Sequence, residues 1–143
     1  MLRPGDPVDA RADRAVQGIV GVLLLGGFVF KSPWIVPVVA VVLAAGALGG
    51  PRANVLHRAC NAWLVPRLPA PGPAGTPPAT IAADAVRAQD ALGTGILALA
   101  TLVYLAGIAL AGWLLAIGEA VIALVAATTG IHLADHLRTL GSR

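Results

Sequence analysis

From Ala91 to Leu133 the chain carries a single formal charge, Glu119. Such a run is too long for one buried core helix and fits two bilayer crossings, each of which takes roughly 20 residues. A second apolar stretch, Ala15 to Gly50, is interrupted by Lys31-Ser32-Pro33. Pro37 falls in the first turn after that break, where a missing N–H costs little. The pattern predicts an all-α integral membrane protein with four transmembrane helices in two hairpins. The crossings are expected over Ala15–Phe30, Trp34–Gly50, Ala91–Ala111 and Leu114–Leu133, the last break lying near Gly112 and Gly118.

Between the hairpins, Arg52 to Leu64 alternates Val55, Leu56, Ala59, Cys60, Trp63 and Leu64 with Arg52, His57, Arg58 and Asn61. This predicts an amphipathic helix lying in the headgroup layer. Pro66 to Pro78 is Pro-rich and predicts an extended linker with no capacity for a core. The division is then an arm (1–14), a first hairpin (15–50), an interfacial helix and linker (51–90), a second hairpin (91–133) and a tail (134–143). The N-terminal arm mixes Arg with Asp and lacks a convincing cleavage site, so the first helix is expected to stay as an anchor. Arg14-x-x-Gln17-x-x-x-Gly21 and Arg87-x-Gln89-x-x-x-Gly93 enter the first and third crossings, a weak internal repeat consistent with two parallel hairpins.

Charge sets the orientation. With four crossings, Arg3, Arg11, Arg14, Arg52, Arg58, Arg67, Arg87, Arg138 and Arg143 share one side, and the other holds only Lys31. The positive-inside rule places both termini in the cytoplasm. Trp34 and Trp113 then anchor the outer interface, and Trp63, Arg52 and Arg58 the inner one. The chain is 57% hydrophobic and 12% charged, too little polar surface to face water all round. A pI near 10 comes without a Lys/Arg run, so nucleic acid is not an expected partner. Close-approach pairs such as Gly46-x-x-x-Gly50 and Ala126-x-x-x-Gly130 fit helices packing in lipid.

Candidate chemistry is sparse. Thr128, His132, Asp135 and His136 fall on roughly one face at the exit of the last helix. His132 and His136 could share a divalent metal with Asp135 as third ligand or orienting carboxylate. A haem would need one of them and a second axial ligand such as His57. The alternative is a helix end where His favours the dipole. Glu119 is read as an outer-end anchor within reach of Lys31, or as an intramembrane proton or ion site. Cys60 excludes an internal disulfide and a CxxC pair; it is either packed on an apolar face or open to acylation and thiol exchange. No nucleophile motif, phosphate loop or dinucleotide fingerprint is present. No cofactor is expected, a divalent metal or haem being the exception.

Val8-Asp9-Ala10-Arg11 with Arg14 and Gln17, Gly50-Pro51-Arg52, Val65-Pro66-Arg67-Leu68-Pro69, Arg87-x-Gln89 with Gly93, and Ala127-Thr128-Thr129-Gly130 occur in order across nearly the whole chain. Together they resemble the small bacterial membrane protein family catalogued as domain of unknown function 4395. The resemblance implies four helices, no established activity, and a loose tie to thiol or sulfur metabolism. Where many relatives carry a CxxC after the Thr-Gly of the last helix, this chain has His132 and Asp135, so a dithiol role does not carry over.

Three functions are therefore expected, in this order. The first is a non-catalytic membrane subunit that docks onto, anchors or stabilises a larger complex, with the lipid bilayer and other membrane subunits as partners. The second is a redox or metal protein using His132, Asp135 and His136. The third is a small oligomeric transporter dependent on Glu119.

Overall fold

A computed structural model describes residues 7–69 and 79–130. Its elements in order are strand β1 (Pro7–Asp9), helices α1 (Ala10–Val29), α2 (Ile35–Gly49) and α3 (Val55–Ala59), strand β2 (Thr80–Ala82), and helices α4 (Ala83–Leu105) and α5 (Ala109–Thr129). Three of these, α1, α4 and α5, are long and apolar enough to cross a membrane. The fourth apolar helix, α2, has 15 residues. At 1.5 Å per residue it spans about 22 Å, short of the ~30 Å hydrocarbon core.

Local chemistry explains each boundary. The Asp9 carboxylate accepts from the Arg11 N–H at 2.8 Å and caps α1. Gly50, at φ 80°, closes α2 ahead of Pro51. Asn54 caps α3 by accepting from the N–H groups of Leu56 and His57. Past Ala59 the coil widens into a π-helical turn (Cys60–Leu64) and then tightens into a 3-10 turn (Val65–Arg67) that includes Pro66. The break between α4 and α5 lies at Gly107, φ 87°, and not near Gly112. Every residue around that break is apolar, so hydropathy is blind to it. Gly112 sits inside α5, where its missing side chain lets the helix close on the Ala100 carbonyl and Tyr104.

The helices pair across the hairpins: α1 packs most extensively on α5, and α2 on α4, with α4 also on α5. The core is apolar and rich in small residues. Val16, Val20 and Leu24 of α1 meet Ala116, Ala120 and Ala123 of α5, with Val39 and Leu43 of α2 and Leu97 of α4 behind them. A Cβ on Gly21 would lie 2.6 Å from the Leu124 side chain, so this glycine sets the α1–α5 distance. The outward faces are apolar as well: Val22, Val41, Leu102, Leu110 and Val121 are exposed. Such a surface suits lipid tails rather than water.

Two features depart from the all-helical expectation. β1 and β2 form a two-stranded antiparallel ladder with Val8 opposite Ile81, and Val8, Ala83 and Val86 make a small second core beneath it. The ladder ties the start of α1 to the start of α4, the two segments that carry the sequence repeat. α3 also differs from a helix lying wholly on the surface. Asn54, His57 and Cys60, three residues apart, face inward and are buried, while Val55, Arg58, Asn61 and Trp63 are exposed. The polar side chains of this segment are thus divided between the bundle and the outer face.

Candidate functional site

Seven polar side chains from four elements are 2% exposed or less: Asp13 and Gln17 of α1, Asn54 and His57 at α3, Gln89 and Asp90 of α4, and Glu119 of α5. Helical spacing assembles them. Asp13 and Gln17, four apart, share the inward face of α1. Asn54 and His57, three apart, share that of α3. Asp90 lies two turns inside α4, and Gly93 follows it on the same face.

The contacts run in sequence through this cluster. His57 Nε2 lies 3.6 Å from Asp13 Oδ1, with both side chains fully buried. Asn54 uses both ends of its amide: the oxygen caps α3, and Nδ2 donates to Asp90 Oδ2 at 3.2 Å. Asp90 lies within electrostatic reach of both Asp13 and Glu119. Two glycines make the room. A Cβ on Gly46 of α2 would collide with the Asp90 carboxylate and sit 3.0 Å from Asn54 Nδ2. A Cβ on Gly93 would lie 2.6 Å from Glu119 Oε1 and 2.8 Å from Leu43.

The cluster is under-satisfied. Asp90 Oδ1, Glu119 Oε2, His57 Nδ1 and both amide atoms of Gln89 have no hydrogen-bond partner among the described residues. Burying an ion costs several kcal/mol even after relaxation. Three acids share the interior with one base, and burial pushes His57 down to about 4, where it is neutral at ordinary pH. The arrangement therefore holds more carboxyls than bases, closed away from bulk water.

Among the described residues, no three His, Cys, Asp or Glu are placed to share a metal ion. His132, Asp135 and His136 lie outside the described residues. His57 faces Asp13 in the interior. Cys60 is packed into the core, and burial raises its thiol pKa, which disfavours the reactive thiolate.

Glu119 occupies the centre of α5, ten residues from either end, and is 1% exposed. It meets Gly93, and it is not at an outer interface. Trp34 is exposed at the start of α2, and Trp113 stacks edge-on against Phe28 at 5.4 Å, at the same end of the bundle. Trp63 is exposed at the opposite end with Arg67 over its ring, and Arg52 and Arg58 are exposed beside it.

Sequence reading missed Asp13, Asp90, Asn54, Gln17 and Gln89 as site residues. Asp13 reads as part of a polar arm, and Asp90 as a flank of a crossing taken to begin at Ala91. The repeated Arg, Gln and Gly entries held the signal, because they mark equivalent positions on α1 and α4.

The fold and site define a small helical protein with membrane-length helices and an ionisable cluster closed inside them. The chain belongs to the family described as Domain of unknown function (DUF4395), whose model matches residues 8–142. No curated protein and no solved structure matches it.

Proposed function

We propose that this chain is a four-crossing membrane subunit, both termini cytoplasmic, that takes up and releases protons at its buried cluster on behalf of a larger membrane complex. The cluster is the observation that carries this reading. Ionisable side chains inside a membrane bundle are costly and mark proton or ion pathways. Asp13, His57, Asp90 and Glu119 enter from three long helices and a re-entrant turn, forming a series from the start of α1 to the centre of α5. α2 completes the bundle and is counted as the fourth crossing, with tilt or local bilayer thinning absorbing its short length.

The docking half of the proposal rests on outward glycines. A Cβ added at Gly26, Gly95 or Gly118 would meet nothing within 4 Å. Glycine inside a helix costs roughly 0.5–1 kcal/mol relative to alanine. Nothing among the described residues offsets that cost at these positions, whereas a neighbouring helix approaching closely would.

The test has two arms. Extraction in mild detergent from native membranes should give a native mass above that of the single chain, with companion subunits at fixed stoichiometry. In vesicles containing the purified assembly, a pH-sensitive dye should report proton movement that is lost in Glu119→Gln and in Asp90→Asn. A solitary chain with wild-type proton movement in both variants would sink the proposal.

A further inference from the structure

A cavity lies outside the bundle, at the end where α1 and α4 begin. It has a volume of about 550 Å³ and is walled by Pro7, Val8 and Asp9 of β1, the Pro51-Arg52 turn, and Arg58, Asn61 and Ala62 along α3 and its π-helical extension. We propose that this cavity binds a phosphate-type oxyanion, supplied by an anionic lipid headgroup or by free phosphate.

Three observations carry the assignment. The charge balance of the walls is positive: Asp9 is neutralised by Arg11, whose guanidinium makes a two-point contact with it at 2.8 and 3.2 Å. Arg52 and Arg58 have no carboxylate partner among the described residues, so two cations face the cavity uncompensated. The donor set is also suitable. Guanidinium groups match the oxygens of a phosphate by paired hydrogen bonds, and the Asn61 amide adds a neutral donor. Finally, the cavity's wall carries side chains of the kind found at a membrane–water interface. The element that forms its wall turns Val55 and Trp63 outward, 60% and 70% exposed, and Arg67 lies 5.9 Å over the Trp63 ring. Trp with basic side chains marks the membrane–water interface. This site shares no side chain with the buried cluster, so it stands or falls separately.

The experiment uses the full chain purified in non-ionic detergent, with native mass spectrometry as the readout. The proteins are wild type, the Arg52→Gln/Arg58→Gln double variant, and Arg67→Gln as an interfacial cation outside the cavity. Each is exchanged against phosphatidylglycerol or phosphatidylcholine, and separately titrated with inorganic phosphate. An interfacial cation contributes about 1 kcal/mol to anionic-lipid binding, so the double variant should lose phosphatidylglycerol affinity by roughly 30-fold. Arg67→Gln, which removes one cation outside the cavity, should lose no more than about fivefold in phosphatidylglycerol affinity and nothing in inorganic phosphate binding. Phosphatidylglycerol retention lost only in the double variant supports a lipid source. Saturable inorganic phosphate binding lost in the double variant supports a free-anion source. Equal behaviour of all three proteins towards both ligands overturns the assignment. All three substituted side chains are exposed, so the fold is expected to survive, and near-identical melting curves would verify that.

Discussion

His57 Nε2 and Asp13 Oδ1 stand 3.6 Å apart with neither side chain exposed, joining a re-entrant turn to the first turn of α1. Burial holds the folded His57 near 4, against 6.5 for an unperturbed histidine. Between those values the unfolded chain binds a proton that the folded chain excludes. Stability is therefore fully present above pH 6.5 and is lost as the pH falls towards 4, by at most ~3 kcal/mol. Asp13, Asp90 and Glu119 remain in a His57→Gln variant, so the difference between the two proteins isolates the histidine. Thermal unfolding in detergent across that window should show a shallower pH dependence for His57→Gln. Parallel curves would mean that His57 is charged, or solvated, in the folded protein.

The two kinds of glycine in the apolar helices should respond in opposite directions. Gly46→Ala drives a methyl into the Asp90 carboxylate and towards Asn54. Overpacking of this kind costs about 1–3 kcal/mol. Gly95→Ala meets nothing within 4 Å and gains helix propensity, so the isolated chain should be stabilised by roughly 0.5–1 kcal/mol. Melting temperatures of the two variants, measured in one detergent, decide the matter. Equal destabilisation would show that Gly95 is packed.

Arg87 reaches from α4 to the last turn of α2, its Nε and Nη2 donating to the Ala47 and Leu48 carbonyls at 3.2 Å each. Those carbonyls are left without intrahelical donors at a helix end, where a cation also suits the dipole. Arg87→Met keeps much of the aliphatic stem and removes both donors. The expected loss is about 1–2 kcal/mol, the usual size for partly exposed charged hydrogen bonds. Hydrogen exchange should show faster opening of the α2 C-terminus and little change at its start. A uniform change along α2 would argue against a local cap.

Much of the fold is legible because lipid exposure is written in composition. The apolar runs around Val20, Val39, Leu97 and Ala120 each became a helix, and Gly49-Gly50-Pro51 ended one where expected. The α4–α5 break was not legible, since Ala106 to Ile108 is as apolar as its surroundings and the turn depends on the positive φ of Gly107. The cluster was hidden for a related reason. Hydropathy ends a crossing at the first charge, so it sets Asp90 at the edge of a crossing and Asp13 in the arm, although both helices continue beyond them. Asn54 and His57 point inward because a turn of chain folds back under the bundle, and spacing alone does not distinguish that from a helix lying on the surface. The Thr128–His136 face lies mostly outside the described residues.

A second close approach in the cluster, between Gly93 and Glu119, yields the sharpest prediction. A Cβ at position 93 would lie 2.6 Å from Glu119 Oε1 and 2.8 Å from a Leu43 methyl. Gly93→Ala should therefore destabilise the chain by about 1–3 kcal/mol, because the Glu119 carboxylate and the Leu43 methyl must both shift to admit the new methyl. Glu119→Ala removes the carboxylate and leaves space in front of Gly93. The double variant fills part of that space with the alanine methyl. The two effects should then fail to add, with a coupling of roughly 1–2 kcal/mol in favour of the double variant. Unfolding in detergent of the four proteins in this cycle measures the coupling directly. Residual strain against Leu43 keeps the compensation partial, so the double variant should still melt below wild type. Strict additivity would mean that Glu119 does not rest against α4 and that its carboxyl points elsewhere in the membrane.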